Sequence, residues 1–174
     1  MKFNHGCWLL KEGIGCFSPT QVYHATIKDK EVILCAPTHP MNNRGDTLGG
    51  ANLTIRITSP LPDVIRVQTV HHMGTLPKGP AFELQLGTPQ TLQTDDSEDT
   101  LTVTSGSLSL EIGKKNWYMH YIRGGKTITA SGAKDLAMMK ENWTGDCFDL
   151  DGDLHDTWMR QQLSIGVGEL FYGT

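Results

Sequence analysis

Thr100-Leu-Thr-Val-Thr-Ser-Gly-Ser-Leu-Ser-Leu-Glu-Ile112 is the stretch that decides the fold. Leu101 and Val103 fall on one face of an extended chain, because successive side chains of a strand point to opposite sides. Ser105-Gly106 supplies turn chemistry, and Leu108, Leu110 and Ile112 then carry the alternation onward. The apolar set switches from odd to even positions across Gly106, as a reversal of chain direction requires. This segment is therefore read as a β-hairpin.

The same period of two spreads in both directions. Downstream, Trp117, Met119 and Tyr121 alternate with Tyr118, His120 and Ile122, and Gly124-Gly125 turns the chain into Lys126-Thr127-Ile128-Thr129. Upstream, Leu53, Ile55 and Ile57 alternate with polar neighbours, which marks a half-buried strand. Pro60-Leu61-Pro62-Asp63 follows as a turn, and Val64 to Val70 reads as the returning strand. Shorter strands are expected at Val22 to Ile27, Glu31 to Ala36, Phe82 to Leu86 and Trp158 to Ile165. Lys28-Asp29-Lys30, Pro37 to Gly50 and the acidic Asp95 to Asp99 read as the turns between them. Only Ala133 to Asn142 has helix-favouring composition, and nothing before Gly132 has a 3.6-residue period. Many short strands at a spacing near ~10 residues indicate an all-β, antiparallel sandwich or barrel. With no internal repeat and no linker, residues 1–174 are read as one domain.

Composition bounds the function. The chain has 174 residues, 38% of them hydrophobic, and a formal net charge of −4. Its Lys and Arg residues are scattered, which predicts no nucleic-acid partner, and mild acidity argues against an anionic membrane surface. No apolar run approaches the ~20 residues that span a bilayer. The patch from Cys7 to Leu10 is too short for an export signal, so a cytoplasmic location is expected. Cys7, Cys16, Cys35 and Cys147 form no close pairs, and no metal or other cofactor is expected.

Several groups of residues invite a chemical reading. Asp149-Leu-Asp-Gly-Asp153 places carboxylates at alternate positions, as a calcium loop does. Counting from Asp149, however, positions six and twelve hold Leu154 and Arg160 instead of Gly and Glu, so a polar surface turn accounts for it. His71-His72 stands at a strand end, where neighbours diverge to opposite faces. Lys114-Lys115 reads as one end of a solvated turn. Trp8, Trp117, Tyr118, Trp143 and Trp158 are candidates for a sugar-stacking platform, although aromatics at alternating strand positions more often fill a core.

The last residues carry the sharpest signal: Leu163-Ser-Ile-Gly-Val-Gly-Glu-Leu-Phe-Tyr-Gly-Thr174. This resembles the junction motif of glycoside hydrolase family 31, L-x-x-G-x-G-E-x-x-Y-G, with Gly166, Gly168, Glu169, Tyr172 and Gly173 in register. Trp8-Leu9-Leu10, Gly13, Pro19 and Gln21-Val22 are similar to the start of the bacterial α-xylosidase branch. The 105–106 hairpin with Trp117 and Arg123-Gly124-Gly125-Lys126 resembles its N-terminal domain. Residues 37–50 and 142–156 match poorly.

The resemblance implies a β-sandwich of the galactose-mutarotase-like supersandwich type, packed against a (β/α)₈ barrel later in the same polypeptide. It implies a parent that is a retaining α-glycosidase, an α-xylosidase or α-glucosidase taking α-linked oligosaccharides. Both carboxyl groups of such an enzyme would lie on the barrel. No catalytic residue is therefore carried onto this sequence, Glu169 is given a structural place in the junction, and the chain alone is expected to be inactive. The ending at Thr174, in mid-motif, is read as a truncation before the barrel. The exposed inter-domain face of such a fragment predicts self-association or an apolar patch. Two other classes stay open: a free-standing carbohydrate-binding module, and a mutarotase-like epimerase using His71, His72, His120 and Glu169.

Overall fold

The computed structural model describes residues 2–5, 9–71, 88–145 and 156–164. The expected strand at 82–86, the 149–153 acidic run, Trp8, His72, Cys7 and Cys147 lie outside the described residues. So does the whole junction motif, with Gly166, Gly168, Glu169, Tyr172 and Gly173.

Among the described residues the fold is all-β, with every strand pairing antiparallel. The deciding hairpin forms as read: β7 (Thr100–Ser105) and β8 (Leu108–Gly113) pair Leu101 with Ile112 and Val103 with Leu110. Gly106 turns the chain at φ +59, a conformation that costs a residue with a Cβ. β9 (Met119–Arg123) and β10 (Lys126–Ser131) extend that sheet on one side, reversing at Gly124-Gly125. β6 (Gln93–Asp96) closes the other side, giving the order β10-β9-β8-β7-β6. A second sheet runs β2 (His24–Lys28), β3 (Glu31–Pro37), β4 (Asn52–Thr58), β5 (Arg66–Val70). Between β3 and β4 a short 3-10 turn, Arg44–Leu48, starts at Asn43, whose side chain caps it while Asp46 reaches back to the Asn43 amide.

These two sheets pack face to face, which makes a sandwich. Val32, Leu34, Ile55 and Ile57 of one meet Leu101, Val103, Leu110, Ile112 and Met119 of the other in one core, all fully buried. Burying a Leu or Ile side chain contributes about 1.5–3 kcal/mol, so the alternation seen in sequence is the dominant favourable term. Trp117 joins this core at 2% exposure, which decides its reading in favour of packing.

A third sheet, β1 (Gly15–Phe17), β11 (Leu136–Lys140), β12 (Thr157–Gln161), takes up most of Ala133 to Asn142, the stretch whose composition favours a helix. β11 sits between the other two strands, with Cys16 opposite Met139 and Met139 opposite Trp158. All five of its residues are buried. A strand covered on both faces shows no polar alternation, and its Leu, Ala, Met and Lys are also good helix formers, so propensity pointed the wrong way. Leu136 enters the main core, while Met138 packs with Phe17, Ala51 and Leu53 in a smaller one. The acidic run also needs correction, because Asp95 and Asp96 pair with Thr102 and Leu101 and only the residues after them turn. Its strand is exposed at every position, an edge protected by charge.

The two large sheets are tied at their turns. Asp63, at φ +62 in the β4–β5 turn, accepts from the Ser107 backbone amide and, at 2.9 Å, from the Ser107 hydroxyl. Those bonds hold its carboxyl below the usual carboxylate range. Behind it, the buried hydroxyls of Ser59 and Ser105 lie 2.6 Å apart, and Ser59 donates to the Leu61 carbonyl at 2.7 Å.

Candidate functional site

A concavity follows from the three-sheet arrangement. The strand pair β11–β12 leaves a cleft of about 680 Å³ beside the loop before β2 and the loop before β9. Leu10, Cys16, Pro19, Trp117 and Ala133 make its apolar walls. Ser18, Thr20, Asn116, Asp135, Arg160 and Gln162 supply polar groups. The loops hold their places by backbone bonds: Trp117 N donates to Thr20 O at 3.1 Å, and Thr20 N donates to Pro37 O at 2.9 Å. Asp135 is anchored in its turn, accepting from the Gly132 amide at 2.6 Å.

Two donors on the lining have no acceptor. The Trp117 indole Nε1 and the Arg160 Nε are each buried and without a hydrogen-bond partner. The rest of the Arg160 guanidinium is fixed, its Nη2 donating to Lys134 O at 2.9 Å and lying 3.7 Å from Cys16 Sγ. A buried polar group left unpaired costs about 1–3 kcal/mol, so two on one cleft are unusual.

The other sequence candidates do not join this cleft. Tyr118 donates to Glu111 at 3.0 Å and lies 4.4 Å, ring to ring, from His120, on the outer face of β8 and β9. Burial, then the adjacent Glu111 carboxylate, raises the Tyr118 hydroxyl above the usual phenol range. His71 follows β5, on a different sheet from His120. Trp143 packs edge-on against Phe17 at 5.2 Å. Trp158 is 46% exposed, with the Lys2 ammonium 3.3 Å from its ring centroid. Asp96 takes up the Lys114 ammonium and Glu98 and Asp99 that of Lys115, whose amine is raised by Asp99 and then Glu98. No group of three or more His, Cys, Asp or Glu able to hold a metal occurs among the described residues, and no helix there is long and apolar enough to cross a membrane.

Sequence reasoning missed the cleft. Cys16, Trp117 and Arg160 come from three distant parts of the chain, and of these only Trp117 was a binding candidate, as an aromatic. A lone Arg on a short strand carries no signal of its unpaired Nε.

The fold and this arrangement define a β-sandwich module carrying a polar-rimmed cleft. A similar fold occurs in the cycloalternan-forming enzyme of Listeria monocytogenes, solved with a pentasaccharide substrate. That match has a TM-score of 0.55 at 16% identity, covering 74% of this chain and 11% of the other. No protein-family model matches the chain. Sequence comparison is more specific. The α-xylosidase XylQ of Lactiplantibacillus pentosus is 30% identical over 177 aligned positions, covering 99% of this chain and 21% of XylQ. An α-xylosidase of Emericella nidulans is 30% identical over 183 positions, covering 99% and 23%. The chain is thus a relative of the N-terminal region of family 31 α-xylosidases, and it spans about a fifth of their length.

Proposed function

We propose that this chain is the non-catalytic N-terminal module of a retaining α-glycosidase acting on α-xylosides or α-glucosides, and that it supports the catalytic barrel of the same polypeptide. The observation that carries this reading is similarity to α-xylosidases along 99% of the chain, although the chain spans only about a fifth of each relative. The Glu31 and Asp63 carboxylates fit a supporting role. Glu31 is bound by Lys28 at 2.9 Å and Arg56 at 2.8 Å, and Asp63 by the Ser107 amide and hydroxyl.

In this reading the exposed apolar side chains Leu9, Trp158 and Met159 face the remainder of the polypeptide. Alone, the chain would self-associate through them, and light scattering after size exclusion reads this directly. The activity test expresses residues 1–174 alone, then fused to the barrel of an α-xylosidase relative in place of that enzyme's own N-terminal module. The chain alone should not release nitrophenol from p-nitrophenyl α-xyloside, and the fusion should. Turnover by the chain alone would overturn the reading.

A further inference from the structure

We propose that the hollow at the end of the β2–β5 sheet, beside the Lys28-Asp29-Lys30 turn, is a binding site for a phosphate group. Its donors are the Arg66 and Arg56 guanidiniums, the Thr58 hydroxyl and the Lys30 ammonium. The hollow measures about 540 Å³, within the ~300–1,000 Å³ of small-molecule sites. Strand register builds its floor. Lys28 stands opposite Glu31, Glu31 opposite Thr58, and Thr58 opposite Arg66, a row that crosses all four strands. Arg56 lies two residues before Thr58 and so shares its face. The neighbouring row of Ile27, Val32, Ile57 and Val67 points the other way, and Val32 and Ile57 are fully buried in the core. The charged row is therefore turned outward. Lys30 and Arg56 are exposed and Thr58 and Arg66 half-buried, so a ligand entering from solvent meets all four.

Charge decides the ligand. The chain has a net charge of −4, yet Lys28, Lys30, Arg56 and Arg66 line this one hollow against two carboxylates, Asp29 and Glu31. Glu31 is already paired, with Lys28 Nζ donating to one oxygen at 2.9 Å and Arg56 Nε to the other at 2.8 Å. Lys28 first, and then Arg56, holds the Glu31 carboxyl below its ordinary range, so this face already stabilises one anion. Arg56 spends its Nε–H there and keeps both Nη groups as donors. The Thr58, Arg66 and Lys30 side chains have no partner among the described residues. Glu31 does not neutralise Arg66, because their strands are two spacings apart, about 10 Å. The formal excess of four cations over two carboxylates equals the charge of a phosphate dianion. The donors also approach from different sides: Arg66 from the edge strand, Thr58 and Arg56 from its neighbour, Lys30 from the turn. That arrangement suits the tetrahedral oxygens of a phosphate better than the plane of a carboxylate.

The test titrates the ¹⁵N-labelled 174-residue chain with sodium phosphate, glycerol 3-phosphate and, as a planar anion, sodium acetate. Ionic strength is held constant, at a pH where phosphate is doubly charged. The Thr58 and Arg66 amide signals should shift and saturate at millimolar phosphate, while those of β10, on the other large sheet, stay still. Arg66→Gln removes a charged donor and should weaken binding about tenfold. Lys30→Gln, on the exposed turn, should weaken it too, and it covers the case in which the Arg66 variant fails to fold. Asp29→Asn removes a repelling carboxylate and should tighten binding about threefold, the scale of an exposed charge pair. Tighter binding of glycerol 3-phosphate than of free phosphate assigns the site to a phosphomonoester, and equal or weaker binding assigns it to phosphate itself. Signals that move without saturating overturn the proposal, as does an affinity unchanged in both Arg66→Gln and Lys30→Gln. Acetate bound as tightly as phosphate would make the hollow a general anion patch and also overturns it.

Discussion

Replacing Ser59 with alanine should destabilise the chain more than replacing both Ser59 and Ser105. The two hydroxyls lie 2.6 Å apart, at 0% and 2% exposure. Ser59 spends its proton on the Leu61 carbonyl, so Ser105 must be the donor between them. Ser59→Ala then leaves the Ser105 hydroxyl buried with no acceptor, which costs about 1–3 kcal/mol. The Leu61 carbonyl adds little, because Leu61 is an exposed residue whose backbone can turn to water. Ser105→Ala leaves Ser59 still donating and costs about 0.5–1.5 kcal/mol. The double variant removes the orphan, so its loss should be near that of Ser105→Ala alone. Urea titration followed by circular dichroism gives all three free energies. For a chain of this size the Ser59→Ala loss corresponds to about 2–10 °C in Tm. If the double variant is destabilised by the sum of the two singles, the hydroxyls are not coupled and the reasoning fails.

Further outcomes follow from other positions. Gly106→Ala should lower the urea midpoint by the equivalent of about 1–3 kcal/mol, since φ is +59 and a Cβ would collide with Asp63 Oδ1. An unchanged midpoint would mean that the turn relaxes freely. Met139→Ala should cost about 2–5 kcal/mol by opening a cavity on the fully buried β11, and a loss under 1 kcal/mol would show that this sheet contributes little to the cooperative unit. Glu31 has a folded pKa below its ordinary 4.5, held down first by Lys28 and then by Arg56. Its contribution is therefore complete above that value and lost as pH falls through the lower folded pKa. Thermal melts should accordingly lose less on acidification in Glu31→Gln than in the parent, and parallel curves would refute the linkage.

The sandwich was legible where burial is one-sided. At β4, β7 and β8 one face meets the core and the other meets water, so the pleat is written as alternating residues, and Gly106 and Pro60 punctuate them. β11 was not legible, because neighbours on both sides remove the alternation. β6 was not either, because its four residues are polar and exposed and only its pairing with β7 makes it a strand. The sharpest part of the family resemblance, the motif at the end of the sequence, lies outside the described residues, and independent similarity along the chain supports the resemblance. The cleft could be read only in three dimensions. An unsatisfied N–H is a relation between a donor and everything around it, and no spacing in the sequence encodes it.

The third sheet also dictates an order of events during synthesis. Gly15 pairs with Lys140, so β1 emerges from the ribosome 125 residues before its partner, while both larger sheets lie within the intervening chain. At about 5–20 residues per second that is a wait of roughly 6–25 s. The sandwich can assemble in that interval, but β1 stays without β11, with the Phe17 ring lacking Met138 to cover it. A strand made before the sandwich is thus secured only after it, and the window in which the nascent chain is open to aggregation or to a chaperone is set by when β11 appears.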